Sequence, residues 1–150
     1  NNLPKIVSIQ NEYSLLCRHF DLDMAEVCHH EKIGLLSFSP LACGILSGKY
    51  LDNKVPIGSR KSIYEDLGNR NTKLMVQASK KYVGIAQKYN INPCQMALSF
   101  CLSRPFMVSV IFGATNRKQL LNNIQSVNLK LEERLLDEIL KVYKLYPIPF

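Results

Sequence analysis

The residues of this chain that could do chemistry fall into two groups, a sulfur–nitrogen cluster and a concentration of bases. Cys28, His29 and His30 are consecutive and carry metal-type donors. Consecutive residues on a helix project in different directions and cannot converge on one ion. The triplet therefore reads as a buried Cys28 beside two solvated histidines, and no metal site is expected. The five cysteines (Cys17, Cys28, Cys43, Cys94 and Cys101) are odd in number, contain no C-x-x-C pair and follow no export signal. That usage fits reduced thiols and a cytoplasmic location.

The bases say more. The chain carries 19 lysines and arginines against 12 acids, a net charge of +7. From Lys49 to Lys81, eight bases (Lys49, Lys54, Arg60, Lys61, Arg70, Lys73, Lys80, Lys81) accompany only Asp52, Glu65 and Asp66, so most of the excess lies in one window. A basic window suits an anionic partner. This one lacks interleaved aromatics and any helix-turn-helix or RNP-like string, so nucleic acid is not expected and a phosphate-bearing small molecule fits better.

These groups must be positioned by a globular framework. Hydrophobic residues make up 47% and charged residues 21% of 150 residues, enough apolar surface for one domain and too little chain for two. The longest charge-free run, Ile33 to Gly48, is broken by Pro40 and glycines and cannot span a bilayer. Lys5 to Gln10 reads as a strand opened by Pro4. A helix follows from Asp21 or Asp23 through Cys28, with Gly34 as its left-handed cap. Leu35 to Phe38 is a second strand stopped at Ser39-Pro40. Residues 40 to about 70 form a long irregular connection of the kind that is often functional. Helical spacing returns from Thr72 to Tyr89, with Leu74, Ala78, Tyr82, Ile85 and Ala86 on one face. Asn92 caps a further helix with Pro93 at its first position and a stripe of Ala97, Leu98, Cys101 and Leu102. Met107 to Phe112 is a third strand, uncharged as a strand covered on both faces should be. Asn116 caps a helix through Ser126, and Glu132 to Tyr143 form the last, with Leu135, Leu136, Ile139, Leu140 and Tyr143 apolar.

Alternating strands and helices imply an α/β fold with parallel strands. Three strands are too few, because a β/α barrel needs eight and an open doubly wound sheet usually five or more. The chain also opens on Asn1 rather than methionine. Part of a larger domain is the expectation.

Three segments at expected strand ends carry a resemblance. They are Ile9-Gln10-Asn11-Glu12-Tyr13-Ser14, then Phe38-Ser39-Pro40-Leu41-Ala42-Cys43-Gly44-Ile45-Leu46-Ser47-Gly48-Lys49-Tyr50, and Gly113-Ala114-Thr115-Asn116 followed by Gln119, Asn122 and Asn123. Together they resemble the C-terminal half of an aldo-keto reductase, close to the potassium-channel β-subunit and bacterial branches. The resemblance implies that residues 1–150 are the last three strand-helix units of a TIM (β/α)8 barrel whose N-terminal half is absent. It also implies NADPH across the strand C-terminal ends. There Gln10 would hold the nicotinamide carboxamide and Phe38 would stack on the ring. Ser39, Pro40, Leu41 and Cys43 would line the pyrophosphate, Lys49 and Arg60 would face phosphates, and Gly113, Thr115, Gln119, Asn122 and Asn123 would hold the adenosine part. Many family members have a basic residue where Gly113 stands and Glu-Asn where this chain has Asn122-Asn123, so NADH is a possible cofactor too.

The implied chemistry is hydride transfer to a small-molecule carbonyl, with a tyrosine as general acid, a lysine–aspartate pair and a histidine. No motif here matches those four residues. Tyr13, Tyr50, Tyr64 and Tyr82 lack the required neighbours, so no catalytic residue is expected in this chain. The missing half would be supplied in cis or by a complementary chain. The rival implication is a non-catalytic NADPH-binding sensor of the channel β-subunit type. A truncated product with no function is a third.

Overall fold

The structure, a computed structural model, describes residues 3–150. Strand β1 is Ser8–Glu12, β2 is Gly34–Phe38 and β3 is Met107–Val110. They form a parallel sheet in the order β1-β2-β3. Helix α1 (Met24–Glu31) connects β1 to β2. The connection from β2 to β3 holds the short α2 (Arg60–Ile63), then α3 (Lys73–Lys88) and α4 (Pro93–Leu102). Helices α5 (Arg117–Ile124) and α6 (Glu133–Leu145) follow β3. The alternation of strand and helix expected from sequence is present three times, as part of an α/β architecture.

The strand boundaries follow the pairing. The run from Lys5 begins as expected, but the ladder starts only at Ser8, opposite Gly34, because β2 offers no partner before that residue. Ile6 and Val7 are left exposed. β3 stops at Val110 and not Phe112, although the Ile111 N–H still donates to the Ser37 carbonyl at 2.8 Å.

Gly34 does not cap α1. Lys32 takes the left-handed conformation (φ 54°) and its N–H bonds back to Cys28. Gly34 is needed for a different reason: a Cβ there would lie 1.9 Å from Cγ2 of Val108 on the neighbouring strand. Thr72, Asn92 and Asn116 cap α3, α4 and α5 as their side-chain types suggest, each accepting from an N–H of the first turn.

The helices cover one face of the sheet. Leu35 and Ser37 of β2 are fully buried on that face, with Tyr13, Phe100, Ala97 and Cys101 around them in one core. Phe106 meets the Tyr13 ring edge-on at 5.4 Å. The buried stripes are rotated slightly from expectation. Met75 is buried in α3 while Leu74 is exposed, and Leu102 and Leu140 lie towards solvent at the margins of α4 and α6. In α6 the inner row is Leu135, Ile139 and Val142, at the i, i+4, i+7 spacing of a surface helix. No helix among the described residues is long and apolar enough to cross a membrane.

Candidate functional site

Parallel register brings the first two sequence segments together. Gln10 pairs with Leu36 and Glu12 with Phe38, so alternation sets Gln10, Glu12, Leu36 and Phe38 on the sheet face away from the helices. Gln10 is exposed, and Phe38 leaves about a third of its surface (36%) open at the strand end. An aromatic of that size, uncovered at a strand C-terminus, is available for stacking.

The segment after Phe38 is held in unusual backbone. Ser39 (φ 52°), Ala42 (46°), Cys43 (57°) and Gly44 (91°) are left-handed, and Gly48 (78°) closes the turn. Of the three successive left-handed residues, Ala42 and Cys43 are not glycine and carry strain of about 1 kcal/mol or more each. Such strain is concentrated at ligand-holding turns. Pro40 is buried beneath the turn, while Leu41 and Cys43 are half-buried. The N–H groups of Ser39 and Leu41 find no acceptor among the described residues.

Cations gather over this turn. A Cβ on Gly44 would meet Lys49 Nζ at 3.1 Å, so the ammonium lies against the backbone there. Arg60 reaches back to place Nη1 3.4 Å from Cys43 Sγ. The buried Tyr50 ring has Lys49 Nζ 5.0 Å and Lys61 Nζ 5.9 Å from its centroid. Ion pairs among the described residues join Arg18 to Asp21, Arg70 to Glu12 and Lys88 to Glu138, and His30 Nε2 lies 3.8 Å from Glu26. Lys49, Arg60 and Lys61 have no ion-pair partner within 4 Å among the described residues.

The third segment joins through α4. Asn92 caps that helix and also accepts from Asn122 Nδ2 at 3.2 Å, while Gln95 Nε2 donates to the Asn122 carbonyl and side chain at 3.1 and 3.2 Å. Asn122 is thus a bridge between α4 and α5, and Asn123 beside it is buried. Thr115 donates both its N–H and its hydroxyl to Gln119 Oε1 at 3.0 Å, and Gln119 N–H donates to Asn116 Oδ1 at 2.9 Å. This reciprocal arrangement fixes the α5 N-terminus. Gly113 is exposed, with open space in front of it. Of the expected residues, Thr115, Gln119 and Gly113 present themselves to solvent, whereas Asn122 and Asn123 are engaged inside the chain.

Two of the four tyrosines, Tyr13 and Tyr82, are fully buried. Tyr13 donates to Asp21 at 2.7 Å, and burial first, then Asp21, drives its pKa well above the usual phenol value. Burial does the same to Tyr82. A general acid needs the opposite shift. The histidines His29 and His30 are exposed beside buried Cys28, as expected from the helical spacing. A cavity of about 740 Å³ lies at the other end of the sheet near Gly34, Phe106 and Val108. Ligands of parallel α/β sheets bind at the strand C-terminal ends, so this cavity is not the candidate site.

Sequence reasoning missed Glu12 and Arg70, which form a two-pronged ion pair across the strand end, with Arg70 Nε 3.0 Å from Glu12 Oε1. Glu12 was findable, two residues beyond Gln10 on the same face. Arg70, 58 positions away, gave no signal among the seven other bases of its window.

The aldo/keto reductase family model matches residues 1–144. This chain belongs to the aldo/keto reductase family. It is 41% identical over 149 residues to protein tas of Escherichia coli, covering 99% of the chain and 43% of that protein. It is 34% identical over 146 residues to a probable voltage-gated potassium channel subunit beta of Arabidopsis thaliana, covering 92% and 44%. An aldo-keto reductase of Babesia bovis is 37% identical over 123 residues, covering 78% and 43%. The chain thus spans well under half the length of these aldo/keto reductase relatives.

Proposed function

We propose that this chain is the cofactor-holding, C-terminal half of an NAD(P)H-dependent oxidoreductase that reduces small aldehydes or ketones, built as the last three β/α units of an eight-stranded barrel. The observation that carries this reading is the cation cluster of Lys49, Arg60 and Lys61, without ion-pair partners among the described residues, over the left-handed turn at Ser39–Gly44. Phosphate-rich ligands bind such turns through backbone N–H groups and nearby bases. The open edges of β1 and β3, with Ile6, Val7, Val108 and Ile111 exposed, support a complementary half in cis or in trans.

The residues fit a dinucleotide. Gln10 offers an amide that both donates and accepts, suited to a carboxamide. Phe38 offers a ring to stack on a flat heterocycle. The N–H groups of Ser39 and Leu41, with Pro40 buried between them and Cys43 beside them, would hold the pyrophosphate. Lys49 and Arg60 neutralise phosphates, with Arg60 the candidate for the 2′-phosphate of NADPH because its fork is bidentate. Gly113, Thr115 and Gln119 take the adenosine end at the α5 N-terminus. Asn122 and Asn123 act beneath them through the α4–α5 bridge, and NADH fits the same site without the 2′-phosphate. When bound, the cofactor supplies hydride; the general acid belongs to the half outside this chain, so Gln10 and Phe38 orient rather than transfer protons.

Titration of the full-length gene product with NADPH, read by nucleotide fluorescence, tests this reading. Saturable binding is expected, with aldehyde-dependent loss of absorbance at the nicotinamide band. Binding without turnover favours the second reading, an NADPH sensor, which the 34% identity to a channel β subunit supports. Absence of binding defeats both.

A further inference from the structure

We propose that Glu12 and Arg70 form a clasp that holds the basic segment over the strand end and thereby sets the affinity for the dinucleotide phosphates. The inference rests on the cofactor reading above and assigns a positioning role to two residues outside the expected site. Glu12 ends β1 on the face that carries Gln10 and lies opposite Phe38 in register. Both of its carboxylate oxygens are engaged by the Arg70 guanidinium, at Nε and at Nη2, a two-pronged pair whose side chains are only 17% and 22% exposed. Arg70 Nη1 also donates to the Gly68 carbonyl at 3.0 Å.

The position of Arg70 explains what the pair holds. Residues 54–72 are mostly irregular, with left-handed backbone at Gly58, Leu67, Gly68 and Asn69. Arg60 and Lys61 lie on the single turn of α2 within this segment. Asn71, next to Arg70, accepts from Lys61 Nζ at 3.2 Å. The segment is therefore tied to the sheet end from Arg70, through Asn71 and Lys61, to the Tyr50 ring. Thr72 anchors the far side by capping α3 and donating to the Pro149 carbonyl at 2.7 Å. Without the Glu12 clasp, α2 would keep the Lys61 N–H bond to the Tyr50 hydroxyl at 3.4 Å and Arg60 its weak contact with Cys43, but the tie from Arg70 to the sheet end would be lost. Holding a mobile cation in place before binding lowers the ordering cost of the complex.

The alternative role for Arg70 is a phosphate ligand masked by Glu12, and the two roles predict opposite effects. In the full-length gene product, Glu12→Gln removes the charge and leaves the shape. If the pair is a clasp, NADPH binds roughly tenfold more weakly, as expected for loss of charge-assisted hydrogen bonds. Arg70→Met gives a similar loss, and the charge-reversed pair Glu12→Arg with Arg70→Glu recovers most of it. If Arg70 is a masked ligand, Glu12→Gln tightens binding and the proposal is overturned. Equal affinity in Glu12→Gln and wild type overturns it too. Thermal unfolding of each variant accompanies the titration. A variant that binds weakly only because it is unfolded loses the far-ultraviolet helix signal, and in that case failure of the reversed pair to recover affinity counts against the clasp. If wild type binds no dinucleotide, the cofactor reading fails and not merely the clasp.

Discussion

Replacing Gly34 by alanine puts a Cβ 1.9 Å from Val108 Cγ2 and 3.1 Å from Val108 Cβ. Rotating the valine about χ1 relieves the first contact but not the second, which is fixed by the backbone of β3. The pairing between β2 and β3 already carries an irregularity between Leu35 and Leu36, so the strands have little room to separate without losing ladder bonds. An overpacked contact of this kind costs about 2–3 kcal/mol. Urea unfolding of the full-length gene product, followed by circular dichroism, should show the midpoint falling by roughly 1 M, given a slope of about 2–3 kcal/mol per molar. Val108 stands on the surface that the proposed complementary half covers, so Val108→Gly alone is measured as the reference for the double variant. The double variant should recover most of the Gly34→Ala loss. An unchanged midpoint in Gly34→Ala, or no recovery in the double variant, refutes the steric argument and with it the register that carries Gly113 to the site.

Other expectations follow from the same contacts. Asn92→Ala removes the acceptor for the Cys94 and Gln95 N–H groups and the Asn122 amide, and should cost about 1–2 kcal/mol in urea unfolding. Glu138 is held below the usual carboxylate range first by its hydrogen bond from Lys88, then by Tyr89. Its folded pKa being depressed, its contribution is complete above the unfolded value and disappears as pH falls through the folded one; stabilities of wild type and Glu138→Gln should differ near neutrality and converge in acid. Burial pushes the thiol pKa of Cys17 up to about 11 and of Cys101 to about 12. Iodoacetamide at pH 8, read by peptide mass spectrometry, should modify half-buried Cys43 before either, and NADPH should slow that modification. Arg60→Ala should weaken NADPH binding at least tenfold and NADH binding little, in paired titrations.

Local chemistry was legible where local forces decide the structure. Asn92-Pro93 and Asn116 announced their helix starts because capping depends on one side chain and the next turn. The strand start at Ser8 was not legible, since it is set by where β2 offers a partner; β3 ends at Val110 although β2 runs one residue past its partner Ser37. Gly34 was misassigned because a glycine required by a neighbouring strand looks, in sequence, like one required by a helix end. At the candidate site, the turn after Phe38 and the bases at Lys49 and Arg60 were visible as motif and charge. The role of Asn122 as a bridge, and the Glu12–Arg70 pair, depend on contacts 30 and 58 positions apart, which no single-sequence spacing encodes.

The central claim is that a dinucleotide lies across the strand C-terminal ends, and hydrogen exchange of the full-length gene product with and without NADPH tests it most directly. Added protection is expected in residues 38–61 and 111–119, with little change at the strand starts around residues 32–34 and 104–108. Protection confined to those strand starts, or none anywhere in this chain, would contradict it.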